Sequence, residues 1–236
     1  MDDVLIVISH YSARDKAALY ALLKKISDIT SHILVVINDD SAVSESFSKL
    51  GDFPVITRPN IGMNIGSWNS AHANFPNYKY YIFLQDECSL LRGDFIEAYK
   101  KELSTKNVGM TGESINHKWD KSWVELFHSP LNYVIENAAG HRISRVEHYL
   151  AAMSGWGINP GGSGRHLRSL VWGLNQDALR RIGRFPEGCN KEECIAAEIS
   201  VSKKIEEIGL TVTQISKTPF SFFKHEEWRL DGRSKI

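Results

Sequence analysis

The stretch Val4-Leu5-Ile6-Val7-Ile8 sets the fold that we expect for this chain. It is apolar throughout and rich in β-branched residues. Its lack of alternation indicates a strand buried on both faces, as in a parallel sheet. A second stretch of this kind occupies residues 33–37. Between the two, apolar residues recur at helical spacing and predict an amphipathic helix over residues 15–27. The apolar positions of that helix are Leu19, Leu22, Leu23 and Ile26.

The alternation of strand and helix continues to about residue 100. Further strands are predicted over residues 54–57 and 80–84, and helices over 42–50, 66–75 and 94–103. Strands that alternate with helices are typical of a mostly parallel sheet whose faces are covered by helices. We therefore expect an α/β fold.

The second half of the chain is less regular. Residues 113–145 carry aromatic residues and histidines without a clear period. Helices are predicted over 175–182 and 191–208, followed by a strand over 210–215. Residues 154–165 contain five glycines and one proline, which predicts a mobile loop that could act as a lid.

Composition and charge disfavour several classes of function. The 236 residues suit a single domain over 1–236, and no linker or internal repeat is evident. Lys plus Arg and Asp plus Glu number 28 each, so nothing favours nucleic acid or an anionic membrane as partner. Three cysteines without metal-binding spacing argue against a disulfide framework or a zinc site.

The location that we expect is cytoplasmic. The N-terminus lacks the basic region and cleavage site of a signal peptide. No apolar stretch approaches the roughly 20 residues that span a bilayer. Peripheral docking at the inner face of a membrane, through a partner, remains the alternative.

Four polar clusters follow the predicted strands of the first half. Ligands of parallel α/β sheets bind at the carboxyl ends of the strands, so four clusters at one edge favour a convergent site. Taken singly, each cluster is equally consistent with Asx and Gly residues that cap strands and start helices. The clusters are Ser9-His10-Tyr11, Asn38-Asp39-Asp40-Ser41, Arg58 to Gly66, and Gln85-Asp86-Glu87-Cys88.

The adjacent carboxylates Asp86 and Glu87 indicate a cation. Two neighbouring carboxylates repel each other in a buried place, and a divalent ion that also bridges phosphates is one natural partner. The alternative is a solvated turn at the end of a strand.

The predicted helix over 191–208 places a carboxylate among its apolar residues. At about 100° per residue, Glu198 falls inside the arc formed by Ala197, Val201 and Ile205. A carboxylate there is unfavourable unless it is paired, hydrogen-bonded or lines a cavity. A partly desolvated Glu with a raised pKa would suit a general base, whereas pairing with an arginine or a place at the rim is the structural alternative.

These landmarks resemble the GT-A glycosyltransferases, in particular the inverting family 2, over roughly residues 3–100 and 170–215. The pattern Asn-x-Gly-x-Asn-x-Gly-x-Trp at 60–68 is also similar to glycosyltransferases of the rhamnan-synthesis type. The segment from Trp172 to Phe185 is similar to the one that precedes the family's catalytic helix, where Glu198 takes the place of the catalytic Asp. The resemblance implies a single GT-A domain with a Rossmann-like, mostly parallel sheet.

The resemblance also implies a role for each half and for individual residues. Residues 1–100 would bind the nucleotide and 101–236 the acceptor, with Glu198 as the catalytic base. Asp39 would contact the nucleotide base, and Arg58 and Asn60 the diphosphate. The full set of donor-binding candidates is Ser9, His10, Tyr11, Asp39, Arg58, Asn60, Asn64 and Asp86.

A divalent metal is the implied cofactor, Mn²⁺ or Mg²⁺, with Asp86, Glu87 and the late His225 as candidate ligands. The chain departs from the family here, because its Asp-x-Asp motif reads Asp86-Glu87-Cys88. Glu87 would then serve as ligand, or the enzyme would be independent of metal.

The resemblance thus implies an inverting glycosyltransferase and, from the family alone, a place in polysaccharide or surface-glycan biosynthesis. Its partners would be a nucleotide-sugar donor and a glycan or lipid-linked glycan acceptor. Two alternatives are a non-catalytic GT-A-like module that binds a glycan or a protein, and, less favoured, a nucleotidyltransferase, which would need a basic phosphate-binding loop near the N-terminus. Candidates for stacking on acceptor sugars, or else for the core, are Trp119, Trp123, Trp156 and Trp172.

Overall fold

The computed structural model describes residues 3–136 and 139–225, which form twelve strands and seven helices. The strands are β1 Val4–Tyr11, β2 Ile33–Asp39, β3 Ser46–Leu50, β4 Phe53–Pro59, β5 Tyr80–Gln85, β6 Cys88–Leu90, β7 Val108–Gly112, β8 Val134–Glu136, β9 Arg142–Ser144, β10 Val171–Asn175, β11 Thr211–Gln214 and β12 Phe223–His225. The helices are α1 Ala17–Ser27, α2 Met63–Asn74, α3 Phe95–Leu103, α4 Trp123–Phe127, α5 Arg145–Gly155, α6 Gln176–Ile182 and α7 Lys191–Glu207.

One mixed sheet of eight strands organises the described part of the chain, in the order β11-β7-β10-β5-β1-β2-β4-β3. Six strands run parallel, while β10 and β3 run antiparallel to their neighbours. β7, β10 and β11 of the second half join the same sheet as the strands of the first half. The expected α/β fold, a mostly parallel sheet flanked by helices, is confirmed.

The central strand β1 explains why its sequence is apolar on both sides. It pairs with β2 and β5, and Ile6, Val7 and Ile8 are fully buried. Ile6 and Ile8 belong to the core cluster that contains α1 and α3, whereas Leu5 and Val7 belong to the cluster that contains α2, α6 and α7. Successive side chains of a strand point to opposite faces, so a strand covered by helices on both faces needs an unbroken apolar run.

The helix predicted over 42–50 is wrong, because residues 46–50 form the edge strand β3. This strand pairs antiparallel with β4, from Ser46 opposite Thr57 to Leu50 opposite Phe53. A two-residue turn of Gly51 and Asp52 joins the strands, and Gly51 has a φ of 61°, which glycine adopts without steric cost. The local turn chemistry therefore decides the structure of this polar segment.

The stretch 154–165 is packed more closely than its glycine content suggests. Ser154 and Gly155 end α5, and the rest is held by backbone hydrogen bonds, from Gly164 N to Lys121 O and from Trp123 N to Gly162 O. None of its residues lines the cavity described below. Its mobility stays a prediction, and in this structure it does not cover the predicted site.

Two of the four tryptophans proposed for sugar stacking are buried. Trp172 is inaccessible to solvent and packs on Trp68 and Phe185, and Trp119 is 4% exposed and lies near Tyr149. These two belong to the core, so an acceptor-stacking role for them is excluded. Trp123 and Trp156 are half-buried and keep part of their surface accessible.

The backbone is tightly packed where α2 begins, near the edge of the sheet. The helix begins at Met63, three residues before the predicted start, and its N-cap Gly62 has a left-handed φ of 73°. A Cβ at position 66 would lie 2.6 Å from Nη1 of Arg58 and closer still to the carbonyl oxygen of Ile61. Position 66 therefore requires glycine.

Replacing that glycine tests the packing. We expect Gly66→Ala to lower the free energy of unfolding by about 2–3 kcal/mol, because the added methyl group displaces the Arg58 guanidinium. Gly155→Ala is the matched control, since its Cβ would meet nothing within 4 Å. The control should be neutral or stabilising by up to about 1 kcal/mol in urea unfolding. Equal stability of Gly66→Ala and wild type would contradict this account.

Candidate active site

One cavity of about 360 Å³ opens at the carboxyl ends of the central parallel strands. Residues from all four polar clusters meet there, because β1, β2, β4 and β5 run in the same direction. The lining residues are Ser9, His10, Tyr11, Arg14, Asn38, Asn60, Met63, Asn64, Gln85, Asp86 and Glu87. Arg14, Asn38, Met63 and Gln85 extend the set of donor-site candidates chosen from the sequence.

Arg58 is a correction to the predicted donor site. Its guanidinium is buried beneath the loop, where Nη1 donates to Asn38 Oδ1 and to the Ile61 carbonyl, each at 2.8 Å. Nη2 lies 3.5 Å from Glu187 Oε2, and burial lowers the Arg58 pKa. Arg58 does not line the cavity. It holds the loop that carries Asn60 and Asn64, and its predicted contact with a diphosphate stays a prediction.

Asp39 likewise lies outside the cavity lining. Its Oδ1 accepts hydrogen bonds from the backbone N–H of Ser41 at 2.8 Å and from the Ser41 hydroxyl at 2.7 Å. These bonds lower the Asp39 pKa and form an Asx turn at the end of β2. The predicted contact of Asp39 with a nucleotide base stays a prediction, because its second oxygen is not committed to that turn.

The neighbouring Asp40 links two lining residues. Its carboxylate accepts a hydrogen bond from the Tyr11 hydroxyl, and another from Asn60 Nδ2 at 2.9 Å. Both bonds lower the Asp40 pKa. Asp40 belongs to the polar cluster after β2 but was not among the predicted site residues. Only the fold reveals that the first, second and third clusters are joined through this carboxylate.

His10 and Asp86 form a buried pair on the cavity wall. His10 Nδ1 lies 2.6 Å from Asp86 Oδ2, and both side chains are almost inaccessible to solvent. The other ring nitrogen of His10 has no hydrogen-bond partner within the described residues. A buried polar atom without a partner is uncommon and points to a bound water or ligand.

Glu87 lies between two basic groups. Its carboxylate forms an ion pair with Arg14, and its Oε2 lies 3.7 Å from Nε2 of His225. The pKa of Glu87 is lowered chiefly by its interaction with His225, with Arg14 adding to the effect against partial burial. β12 pairs antiparallel with β6 and sets His225 opposite Cys88, which places this imidazole beside Glu87, although His225 itself does not line the cavity.

Cys88 does not replace the missing carboxylate of the Asp-x-Asp motif. It is 3% exposed, and its Sγ donates to the Leu170 carbonyl at 3.5 Å. Burial raises the pKa of this thiol far above the range in which a thiolate forms. The third position of the motif is therefore a core residue.

The described structure provides only part of the ligand set expected for a divalent metal ion. The described residues contain no group of three or more side chains suited to a metal ion. Two ligands about 2.1 Å from one ion lie about 3.0–3.4 Å apart at octahedral or tetrahedral angles, so Glu87 and His225, at 3.7 Å, would share an ion only after a small approach. Mg²⁺-like ions are often held by one or two protein groups together with substrate phosphates. The residues present fit such a shared site.

A buried carboxylate after β7 fixes the segment that delivers His225. Glu113, 1% exposed, accepts hydrogen bonds from the Tyr99 hydroxyl at 2.9 Å and from the Phe222 N–H at 3.1 Å. Its carbonyl accepts from Phe220 N. Burial raises the Glu113 pKa, although these bonds oppose the shift. Glu113 was not predicted from the sequence, because the strand β7 that it follows was not predicted either.

Glu198 lies on α7 and does not line the cavity, from which it is separated by Ser169. Its Oε1 is 2.9 Å from His166 Nε2, while Oε2 accepts from the backbone N–H of Ser169 at 2.9 Å and from the Ser169 hydroxyl. The Ser169 carbonyl in turn accepts from Asn64 Nδ2 and Gln85 Nε2, each at 2.7 Å. Glu198 is thus connected to two lining residues through Ser169.

The expected raised pKa of Glu198 is wrong. Burial alone would raise the pKa, but the hydrogen bonds and charge of His166 and the hydrogen bonds of Ser169 outweigh burial. The pKa therefore lies below its usual value, so the carboxylate is ionised at neutral pH. The structural alternative predicted from the sequence was that Glu198 pairs with an arginine. Its partner in the structure is His166 instead.

No protein-family model matches this sequence, and no curated protein matches it. Among solved structures, the mannosyltransferase PcManGT from Pyrobaculum calidifontis, in complex with GDP-Man and Mn²⁺, matches with a TM-score of 0.52 and 12% identity. The match covers 90% of this chain and 54% of that chain. This chain has the GT-A fold. It spans about half the length of the mannosyltransferase, and at this identity the likeness concerns the fold alone.

Two further structures match less closely than the mannosyltransferase. A CMP:2-keto-3-deoxy-manno-octonic acid synthetase complexed with CTP has a TM-score of 0.49 at 14% identity, covering 90% of this chain and 88% of that one. Glucosyl-3-phosphoglycerate synthase from Mycobacterium tuberculosis has a TM-score of 0.47 at 11% identity, covering 98% and 74%. Within the described residues of this GT-A chain, every helix is too short or too polar to cross a bilayer.

Glu113 gives this GT-A domain a pH-dependent stability. Because the folded protein holds the Glu113 proton more tightly than the unfolded chain, its contribution is fully present below the unfolded pKa. It is lost as pH rises from about 4.5 through the folded-state pKa. Glu113→Gln does not titrate. We expect the stability of wild type relative to this variant to fall over that window, by about 1.4 kcal/mol for each pH unit that separates the two pKa values.

The measurement is urea unfolding of both proteins between pH 4 and pH 8, with the exposed Glu207→Gln as control. The Glu207 variant should follow wild type at every pH. A constant difference between wild type and Glu113→Gln across the range would show that Glu113 is not perturbed.

Proposed function

We propose that this chain is an inverting glycosyltransferase that moves a sugar from a nucleotide-diphosphate sugar to an acceptor hydroxyl. The observation that supports the proposal is the cavity at the carboxyl edge of a GT-A sheet. The Glu198 carboxylate is linked to its lining residue Asn64 through Ser169. The acceptor that we propose is a glycan or a lipid-linked glycan, in polysaccharide or surface-glycan biosynthesis.

Three features of the cavity support a nucleotide-diphosphate ligand. Its volume of about 360 Å³ lies within the usual range of small-molecule sites. Met63 and Asn64 open the twelve-residue helix α2 and line the cavity, so the positive end of the helix faces the ligand. Arg14 adds a cationic side chain to the lining.

Glu87 and His225 are the residues that would hold a divalent ion, with Asp86 beside them. The mannosyltransferase of the same fold was solved with GDP-Man and Mn²⁺. Such an ion would neutralise charge on the leaving diphosphate. Arg14, now paired with Glu87, would then turn toward the diphosphate, and the buried His10 holds the Asp86 carboxylate in place.

Glu198 is the proposed general base. In a single displacement, the acceptor oxygen bonds to the anomeric carbon as its proton passes to the Glu198 carboxylate. The bond from that carbon to the diphosphate breaks, and its electron pair leaves with the phosphate oxygen. The acceptor attacks from the face opposite the leaving group, so the configuration inverts. The lowered pKa of Glu198 keeps its carboxylate ionised at neutral pH, ready to accept this proton.

Donor binding is the first test of the function. We expect one class among UDP-, GDP- and dTDP-sugars to bind with micromolar affinity in calorimetry, and to bind more tightly with Mn²⁺ than with EDTA. Glu87→Gln should remove the effect of Mn²⁺, because a proposed metal ligand is lost, whereas affinity in EDTA should not fall below that of wild type, because the change also frees Arg14 from its ion pair. Arg92→Gln, an exposed arginine away from the cavity, is the matched control.

The other outcomes separate the remaining functions. Absence of binding by every donor would contradict the transferase and favour a non-catalytic module. Formation of pyrophosphate from a nucleoside triphosphate and a sugar 1-phosphate would identify a nucleotidyltransferase. Binding that ignores Mn²⁺ would refute the metal site and leave the transferase intact.

Glu198→Gln tests the base. We expect sugar transfer to fall by about 10²–10⁴-fold, because the amide cannot accept the acceptor proton. Donor affinity should stay within about twofold, since Glu198 does not line the cavity. Glu207→Gln, at the exposed end of the same helix, should keep full activity. Retention of most transfer by Glu198→Gln would remove Glu198 from the mechanism.

A further inference from the structure

The contacts of His166 fix how many protons it shares with Glu198. Its Nδ1 lies 2.7 Å from the Gly164 carbonyl oxygen, which can only accept, so Nδ1 carries a proton. Its Nε2 lies 2.9 Å from Glu198 Oε1. An imidazole nitrogen and a carboxylate oxygen at this distance need one proton between them, because two lone pairs would repel. The pair therefore holds a single proton on the Nε2–Oε1 axis.

The position of His166 is fixed by the surrounding backbone. Ile115 and Leu167 form an antiparallel bridge, His166 O accepts from Asn116 N, and Leu167 N donates to Ser202 on α7. Gly164, whose carbonyl holds Nδ1, packs so tightly that a Cβ there would lie 2.6 Å from Leu126 Cδ1. The His166 side chain is inaccessible to solvent. The imidazole therefore cannot turn away from Glu198 without local unfolding.

The charges around the pair favour an ionised carboxylate. Arg168 is 4% exposed; burial lowers its pKa to about 10, while the charge of Glu198 opposes this shift. Asn116 acts in the opposite sense, because its amide nitrogen, which can only donate, lies 3.3 Å from His166 Nε2, farther than the Glu198 oxygen at 2.9 Å. Of the helices packed on α7, α2 contributes the neutral Asn64, which donates to the Ser169 carbonyl. On α7 itself, Lys203 is paired with Glu206.

We propose that His166 is a positioning residue that holds the shared proton on Nε2 and thereby keeps Glu198 ionised and aimed at the acceptor hydroxyl. The proposal rests on the proposed function, in which Glu198 is the base. During transfer, the acceptor proton adds to Glu198, so the pair briefly holds two protons. One of them returns to water after the products leave, and the resting pair is restored.

The protonation of the pair can be measured without any ligand. In long-range ¹H–¹⁵N spectra of the protein with ¹⁵N-labelled histidine at pH 7, we expect one buried histidine with both ring nitrogens protonated. In Glu198→Gln the same histidine should lose the proton on Nε2 and keep the one on Nδ1. His166→Gln assigns the signal by removing it, and His128→Gln, an exposed histidine, should leave it unchanged.

A neutral His166 in wild type at pH 7 would overturn the proposal, as would an unchanged His166 signal in Glu198→Gln. These spectra do not depend on transferase activity. Failure of the proposed function is seen separately, as an absence of donor binding or as retained activity in Glu198→Gln. If His166→Gln does not fold, the His166 signal is assigned by elimination, from variants that replace the other histidines one at a time.

The pH profile tests the effect on chemistry. The probe is hydrolysis of whichever nucleotide sugar binds in calorimetry, with water as acceptor. We expect the acid limb of kcat/KM to move up by at least one pH unit in His166→Ala, because burial then raises the Glu198 pKa without its partner. His166→Gln, which keeps a hydrogen-bond donor, should recover at least tenfold of the lost kcat at pH 7.

A purely structural role for His166 predicts a different pattern. In that case kcat falls equally at all pH values, and the acid limb stays where it is in wild type. That outcome would overturn the proposal. Donor affinity within about twofold of wild type shows that each variant is folded, since His166 does not line the cavity.

Discussion

The burial of β1 on both faces is the constraint on which the remaining structure depends. With helices on each side, this strand must be apolar from Val4 to Ile8, and polar residues can begin only where it leaves the core. The neighbouring parallel strands obey the same rule and end at the same edge. The convergence of polar groups in one cavity is therefore a consequence of the packing of the sheet, before any chemistry is considered.

That constraint explains which parts of the site could be predicted from the sequence. Strand ends such as Ser9 and Asp86 were found because an apolar run ends abruptly at each. The role of Arg58 could not be found this way, since a polar residue beside a strand end can face either the cavity or the loop behind it. The strand β10 was not predicted either, because a short antiparallel strand carries no repeated pattern. The segment before it contains His166 and Ser169, so these partners of Glu198 were missed as well.

The edge strand β3 shows why an exposed element is hard to predict from the sequence. Its residues are exposed and alternate weakly, so periodicity alone favoured a polar helix there. What decided the structure was Gly51, a single residue that closes a tight turn, together with an open edge of β4 to pair with. Burial patterns predict elements that make the core, whereas exposed elements depend on turn chemistry and on available hydrogen-bond partners.

Two buried carboxylates with opposite pKa shifts show why Glu198, and not Glu113, is suited to act as a base. Glu113 is held by a phenol and by backbone N–H groups, none of which brings a charge, and burial raises its pKa. Glu198 is comparably enclosed but faces an imidazole and a buried arginine, and its pKa is lowered. Glu113 is 1% exposed and is covered by the segment that contains Phe220 and Phe222. In contrast, 16% of the Glu198 side chain is exposed. Burial is common to both, so the charge of the partner and the remaining exposure separate the carboxylate with a structural role from the one that we propose as the base.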